Sequence, residues 1–309
     1  MSTSPRSGLL YALGAFGMWG VFPLFFPLLE PASPLEIVAH RVVWSLLLCV
    51  VLVALARSWD EVRAVLRDRR MLGTLAVASA LLATNWLVFV FAVLAGHTVD
   101  ASLGYYINPI VTVALAVMVL GERMRTAQWV ALGFGAAAVV VITVGYGTVP
   151  WVALALAATF GLYGLVKNRV GRTVGATTGL AVETLVLAPV ALGYLGWLHA
   201  SGHGTFGAHG AGHATLLATL GIVTALPLLC FAAATRRLPL SVVGLVQYLT
   251  PTMQLVVAVL VFREEMPAAR WWGFALVWVA LTLLSVDGWR TARRAHRLQQ
   301  RTQLDGPPA

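Results

Sequence analysis

Charged residues are scarce in this chain of 309 residues, since Asp, Glu, Lys and Arg together make up only 11% of it. Soluble domains carry roughly 25% charged residues, which keep their surfaces solvated. Apolar residues make up 59%, and the mean hydropathy is +0.84. The composition therefore excludes an ordinary water-soluble domain and predicts an all-α membrane protein in a lipid bilayer.

Cysteines and catalytic motifs are also few. Cys49 and Cys230 both fall in apolar segments, so no disulfide framework is expected. The sequence has no G-x-x-x-x-G-K-[ST] phosphate loop, no H-E-x-x-H and no G-x-S-x-G. We therefore predict neither an enzyme nor a bound cofactor.

Four histidines in a Gly-rich connection are the only pattern that suggests a metal. They are His199, His203, His209 and His213. Zinc needs ligands held in a fixed tetrahedral arrangement, and glycines provide no rigid frame. A flexible loop is favoured, and no metal is predicted.

Ten apolar segments are long enough to cross a bilayer, which takes about 20 residues for a hydrocarbon core of about 30 Å. They cover residues 8–28, 35–56, 72–94, 99–120, 126–145, 151–167, 176–198, 215–234, 240–262 and 268–286.

Basic residues alternate between the connections. Eighteen of the 21 Lys and Arg residues lie in the termini and in every second connection. The other connections hold Arg263 and Arg270, and Arg41 lies inside a span. Because basic loops stay in the cytoplasm, both termini are predicted to be cytoplasmic. This placement accounts for the net charge of +9 without a nucleic-acid partner.

The two halves of the chain repeat at a shift of 142 residues (251 minus 109, 264 minus 122). The matched pairs are Tyr106 and Tyr248, Pro109 and Pro251, Glu122 and Glu264, Met124 and Met266, and Trp129 and Trp271. We assign repeats to residues 1–147 and 148–288, followed by a basic tail at 289–309. Five crossings per repeat make the second inverted, a construction common in secondary transporters.

Polar residues form a stripe on the fourth span and another on its repeat. Tyr105, Asn108 and Thr112 share one helix face, and their counterparts are Gln247, Thr250 and Gln254. The stripes would either line a central cavity or hydrogen-bond between packed helices.

Pro109 and Pro251 interrupt these same helices. Each removes a backbone donor and disturbs the preceding turn, which predicts a hinge or kink in each helix.

Arg41 and Glu183 are the ionisable residues deepest in the predicted spans, and they too are 142 residues apart. A charge at such depth costs roughly 3 kcal/mol or more. One hypothesis is a central pair that breaks during a transport cycle or binds the carboxylate and ammonium of a zwitterion. The alternatives are a static ion pair, or an Arg41 that extends with His40 toward the outer surface.

Several further residues within spans are candidates for the same cavity. Trp19, Trp86 and Tyr163 could stack on a ligand, although buried aromatic residues mostly fill space. Asn85 lies mid-span and needs a hydrogen-bond partner. Small residues at four-residue spacing, such as Gly133 and Ala137, permit a packing face or a homodimer.

Six segments resemble the EamA family of the drug/metabolite transporter superfamily, and its RarD-type (chloramphenicol-sensitive) group in particular. They are EIVAHRVVWS (36–45), NWLVFVFAV (85–93), ASLGYYINP (101–109), LGERMRTAQW (120–129), GIVTALPLLCF (221–231) and QYLTPT (247–252).

The resemblance implies a bacterial inner-membrane permease that works without ATP. In that family spans one to four and six to nine surround the cavity, while spans five and ten pack outside it. Together with the inverted repeats, it predicts a secondary transporter of a small metabolite, amino acid or drug-like compound, by alternating access and in the direction of export. The alternative is a non-transporting membrane sensor or assembly partner.

Overall fold

The computed structural model describes residues 5–120, 124–170, 174–238 and 240–304. Glu122, Arg123, Arg172 and the tail residues 305–309 therefore lie outside the described part. Within it the fold is all-α, as predicted. The helices are α1 (Pro5–Phe25), α2 (Pro34–Ala56), α3 (Trp59–Arg67), α4 (Arg69–Leu94), α5 (Thr98–Leu120), α6 (Thr126–Tyr146), α7 (Trp151–Val170), α8 (Ala176–Ala200), α9 (Gly210–Thr235), α10 (Leu240–Val246), α11 (Leu249–Val256) and α12 (Ala268–Leu304).

Across the described ranges, nine helical segments are long and apolar enough to cross a membrane. A shorter apolar helix, Trp151–Lys167, corresponds to the sixth predicted span, so the ten predicted segments are all helical. At the basic end of the bundle, α2 ends and α4 begins, α5 ends and α6 begins, α7 ends and α8 begins, and α9 ends and α10 begins. The connections at the opposite end are residues 30–33, 95–97, 147–150, 201–209 and 262–267.

The short helix α3 was not predicted. It lies at the basic end, where the arginines of this segment indicated only a connection. Val62 and Val65 are buried against Cys49 and Val53 of α2, while Trp59 is exposed. Val62 and Val65 are three residues apart and therefore lie on one face of this nine-residue helix. Two such residues do not form a pattern long enough to predict a membrane span.

The two proline-containing helices differ. The helix through Pro109 is continuous, as α5. Its counterpart breaks at Gln247 and Tyr248 between α10 and α11, and ends in a π-helical turn at Val257–Val261. The break lies one turn before Pro251, which has no N–H to donate to the carbonyl of residue 247.

Helix packing follows the inverted repeat. α2 packs on its counterpart α8, and α6 on its counterpart α12. α5 also packs on its counterpart α11. The largest remaining contacts between repeats come in symmetry-related pairs: α5 with α7 and α1 with α11, α4 with α7 and α1 with α9, α2 with α9 and α4 with α8. With α3 set aside and α10 and α11 counted as one span, the helices of the described chain thus form two inverted repeats of five spans each.

Carboxylates join the two repeats at both ends of the bundle. At the basic end, Glu61 of α3 accepts hydrogen bonds from the backbone N–H of Gly175 (2.8 Å) and the hydroxyl of Thr178 (2.7 Å). At the opposite end, Glu36 of α2 accepts from the backbone N–H (2.7 Å) and hydroxyl (2.9 Å) of Thr205. Since 178 minus 36 is 142, the two ties occupy equivalent places in the repeats.

The histidine-containing connection is anchored rather than free, which corrects the prediction of a flexible loop. Thr205 is held by Glu36, and His213 Nε2 lies 2.9 Å from the Thr205 hydroxyl. No group of three His, Cys, Asp or Glu residues in the described part could hold a metal ion.

Glu264 caps the start of α5. Its two carboxylate oxygens accept from the backbone N–H groups of Thr98 (2.7 Å) and Val99 (2.8 Å), which have no partner within the helix. Losing such a cap typically costs about 0.5–2 kcal/mol. We expect Glu264→Ala to lower the thermal unfolding midpoint in detergent. Glu265→Ala, which removes an exposed neighbouring carboxylate, should leave it unchanged; equal effects would contradict the capping role.

Candidate functional site

A buried guanidinium lies between α1, α2, α4 and α9. Arg41 is 5% exposed, and its Nε donates to the hydroxyl of Thr224 at 2.8 Å. The guanidinium carbon lies 4.0 Å from the ring centroid of Trp86 and 5.6 Å from that of Phe22. No carboxylate of the described chain lies within 4.0 Å of it. Arg41 is thus held by a hydroxyl and two aromatic rings.

The start of α2 sets the depth of Arg41. Ser33 caps the helix by accepting from the backbone N–H of Glu36 (3.2 Å), and Pro34 follows at its first position. Arg41 is seven residues further on, about 10 Å along the axis. Its partner Thr224 is fourteen residues into α9, so the side chain extends toward the middle of the bundle.

His40 behaves differently from its neighbour. Its ring stacks on Phe206 of the 201–209 connection, with centroids 5.0 Å apart, and its Nε2 has no partner among the described residues. Because His40 and Arg41 are 6% and 5% exposed, the alternative that both side chains extend to the surface is wrong.

Asn85 and Tyr105 link three helices beside Arg41. The Asn85 amide donates to the carbonyl of Leu156 (3.2 Å) and the hydroxyl of Thr159 (3.0 Å) on α7. Its oxygen accepts from the Tyr105 hydroxyl at 3.3 Å. The partners that a mid-span Asn requires come from α5 and α7, and Tyr105 also packs edge-on against Phe89.

Glu183 does not pair with Arg41. Its Oε1 forms an ion pair with Lys167 of α7, and its Oε2 accepts from the hydroxyl of Tyr163 at 3.4 Å. Glu183 is 1% exposed, whereas the Lys167 side chain retains 26% exposure. Because α7 and α8 enter from opposite ends, Lys167 at the end of α7 reaches the first half of α8. Arg41 and Glu183 do not form a direct pair in this conformation, so the alternative of a static ion pair between them is wrong.

The second polar stripe faces α1. Thr250 donates to the carbonyl of Phe16 (2.8 Å), and Gln254 donates to the carbonyl of Trp19 (3.2 Å). The Trp19 ring packs between Phe16 and Phe231. These two polar side chains therefore hydrogen-bond between packed helices.

Three other predicted site residues lie apart from Arg41. The Asn108 side-chain oxygen is buried with no partner in the described chain, and so is Gln254 Oε1 of the second stripe. Thr112 is exposed, and Gln247 lies in the break between α10 and α11. The structure brings together Arg41, Asn85, Trp86 and Tyr105, and separately Tyr163 and Glu183.

A model of the EamA-like transporter family matches this chain twice, at residues 6–144 and 149–286. Protein RarD of Streptomyces exfoliatus is 51% identical over 290 residues, which cover 94% of this chain and 91% of that protein. This chain belongs to the EamA-like transporter family. It is therefore a multi-pass inner-membrane permease of the drug/metabolite transporter superfamily, as its sequence resemblance predicted.

Other members of the family match over nearly their full lengths. Protein RarD of Escherichia coli is 39% identical over 292 residues, covering 94% of this chain and 98% of that protein. The uncharacterized transporter YojE of Bacillus subtilis is 41% identical over 298 residues, with the same coverage. A crystal structure of a protein 17% identical to this chain superposes with a TM-score of 0.60, covering 93% of this chain and 99% of that one, which supports the fold alone.

Sequence reasoning missed three residues of this EamA-type interior: Thr224, Thr159 and Lys167. Thr224 and Thr159 are small hydroxyl residues within apolar runs, where threonine commonly bonds its own backbone, as Thr159 also does. Lys167 ends the sixth predicted span beside a basic connection, so the sequence alone assigns it to that connection. One feature of the sequence distinguishes Lys167 from the other basic residues: it is the only lysine.

Proposed function

We propose that this permease is a secondary transporter. It moves a small metabolite, an amino acid or a drug-like compound across the inner membrane by alternating access between its two inverted repeats, without ATP and in the direction of export. The basic end faces the cytoplasm, so both termini are cytoplasmic, in line with the retention of basic loops on that side.

The observation that carries the proposal is the pairing of helix contacts. Each of the largest contacts between repeats either joins a helix to its own counterpart or has a symmetry-related equivalent, as α1 with α9 and α4 with α7 do. A conformation adopted by one repeat is therefore available to the other. Exchanging the two conformations reverses the side to which a site between the repeats opens.

The ties at the two ends fit such an exchange. The basic end is tied by Glu61 to the start of α8, and the opposite end by Glu36 to Thr205. Each tie consists of one carboxylate that accepts two hydrogen bonds. Opening one end breaks the hydrogen bonds of that end alone and leaves the tie at the other end intact.

Arg41, Asn85, Trp86 and Tyr105 form the substrate site in this proposal, because they converge from α2, α4 and α5 in the middle of the bundle. Glu183 is the candidate for carrying a coupled proton. It is buried near the basic end, and its ion pair with Lys167 would have to open before the carboxylate could be protonated.

Flux into proteoliposomes tests the proposal. A panel of labelled amino acids and amphenicol drugs should include compounds that cross only when the protein is present, with saturation at high concentration. Comparing influx with efflux gives the direction. An imposed proton gradient should accelerate the flux of wild type and leave Glu183→Gln unaffected.

A matched control is Glu30→Gln, which neutralises an exposed carboxylate at the opposite end and should behave as wild type. Saturable flux that neither the proton gradient nor Glu183→Gln changes would contradict proton coupling. The protein would then be a uniporter or an exchanger. Absence of protein-dependent flux for the whole panel would contradict the transporter proposal itself.

A further inference from the structure

The two symmetry-related charges of the bundle, Arg41 and Glu183, are neutralised to different extents. The Glu183 carboxylate has the ammonium of Lys167 as its counter-ion. Arg41 has the neutral hydroxyl of Thr224 and the faces of Trp86 and Phe22. Of these two charges, Arg41 is therefore the one without a counter-ion in the described chain.

A second buried arginine, Arg270, has the carboxylate counter-ion that Arg41 lacks. Arg270 is 4% exposed, nearly the same as Arg41. It lies 3.3 Å from the carboxylate of Asp100 and donates to the carbonyl of Glu265 at 2.9 Å. A buried charge is ordinarily retained with such a partner, because an isolated one is strongly penalised. Arg41 is as deeply buried as Arg270 but has no carboxylate partner in the described chain.

The contacts of Arg41 leave the two terminal amino groups of its guanidinium available to donate hydrogen bonds to a ligand. Its Nε is fixed by Thr224, and one face of the guanidinium lies over Trp86. No hydrogen bond of the described chain uses its two terminal amino groups. These two groups form a planar fork, which matches the two oxygens of a carboxylate. The preorganised stem lowers the entropy lost when a ligand binds.

The surroundings favour an aromatic or apolar body attached to that carboxylate. Phe22, Trp86 and Phe89 are buried members of one hydrophobic cluster, and Tyr105 packs against it. A single uncompensated cation matches one negative charge, whereas a phosphate monoester would bring nearly two. Of the two buried glutamates in the described chain, Glu183 is paired with Lys167 and Glu36 accepts two hydrogen bonds from Thr205, so both are already engaged by protein groups.

We infer that Arg41 binds the carboxylate of a monoanionic organic acid with an aromatic or apolar body, in a site completed by Trp86 and Tyr105. The inference rests on the proposed function, since this acid would be the transported substrate. It differs from a zwitterion site, in which Arg41 and Glu183 would both contact the ligand.

Thermal unfolding of the purified full-length protein in detergent tests the inference without measuring flux. The probes are phenylacetate, phenylacetamide and phenylethylammonium, which share a body and differ in charge. A ligand that binds only the folded state stabilises it by RT ln(1 + [L]/Kd) and so raises the unfolding midpoint. We expect phenylacetate to raise the midpoint, with little effect of the amide or the ammonium compound.

The variants separate binding from folding. Arg41→Gln should raise the phenylacetate concentration needed for a given midpoint shift about tenfold or more, because it removes a charge-assisted bidentate contact. Arg41→Lys keeps the charge without the fork and should respond in between. Arg270→Gln, the matched control, should respond to phenylacetate as wild type does, whatever its own unfolding midpoint.

Equal responses to phenylacetate and phenylacetamide, a stronger response to phenylethylammonium, or an undiminished response in Arg41→Gln would overturn the inference. If chloride or sulfate raised the midpoint as much as phenylacetate does, the site would be an adventitious anion site only. That result would also overturn the inference. If Arg41→Gln does not fold, the comparison of the three probes on wild type and Arg41→Lys still decides.

The two proposals fail differently. A phenylacetate response that depends on Arg41, together with no flux of any compound, would support the binding site and contradict transport. Flux confined to neutral or cationic compounds, and unchanged in Arg41→Lys, would support transport and contradict the site.

Discussion

Lys167→Ala is expected to lower the free energy of unfolding by about 3 kcal/mol, because it leaves the buried Glu183 without a counter-ion. Removing one partner of a buried pair typically costs about 3–5 kcal/mol. The lower figure applies here because the Lys167 side chain is 26% exposed, which allows water to reach part of the pair. Tyr163 keeps only a long contact of 3.4 Å with the carboxylate. The measurement is unfolding of the purified protein by SDS or by heat, monitored by circular dichroism.

The double variant Lys167→Met with Glu183→Leu is the control for this prediction. Replacing both partners by apolar residues of similar volume is often neutral or stabilising, because neither charge then has to be desolvated. We expect the double variant to be more stable than Lys167→Ala alone. A double variant as unstable as the single one would show that the ion pair is not the source of the loss.

Gly221→Ala is expected to separate α9 from α2 and to lower stability by about 1–3 kcal/mol, the usual range for overpacking a well-filled contact. A Cβ at Gly221 would lie 2.5 Å from the carbonyl oxygen of Trp44. A backbone carbonyl in the middle of a helix cannot move aside without moving the helix. Both the unfolding midpoint and the response to phenylacetate should fall, because Thr224 and Arg41 lie within one turn of Gly221 and Trp44 at this crossing.

Gly212→Ala on the same helix is the matched control, since a Cβ there meets nothing within 4 Å. We expect it to be neutral or slightly stabilising, as alanine is the better helix former. A loss of stability equal to that of Gly221→Ala would mean that helix propensity, and not the contact with α2, determines the effect.

The architecture was predictable because two independent signals in the sequence agree. Ten apolar segments predict the crossings, and pairs such as Pro109 and Pro251 relate them by a constant shift. The same shift relates Arg41 to Glu183, the two deep charges. Depth follows from position along a helix, so the burial of both residues could be inferred from their distance to the span ends.

The partners of these charges could not be predicted in the same way. Which residue meets Glu183 depends on how α7 and α8 lie against each other, and Lys167 is 16 residues away in sequence. Thr224 is 183 residues from Arg41. A pairing across such separations is set by packing of the helices in three dimensions, and a repeat pattern does not encode it. The symmetry suggested instead a direct contact between the two charges.

The break at Gln247 illustrates a second kind of limit. Pro109 and Pro251 have the same local effect, because each removes one backbone N–H donor. The helix stays continuous at Pro109 and breaks before Pro251, where Thr250 and Gln254 bond to the carbonyls of α1. Two copies of one motif thus take different backbone paths, because their neighbours differ.

The single lysine of the chain is half of a buried ion pair, and this gives the molecule a built-in chemical reporter. Apart from the amino terminus, Lys167 carries the only aliphatic amine that an acylating reagent can modify. An amine held against Glu183 is shielded, whereas one released from it is free to react. The fraction of molecules that gain one acyl group, read from the intact mass, would therefore count how often this pair is open.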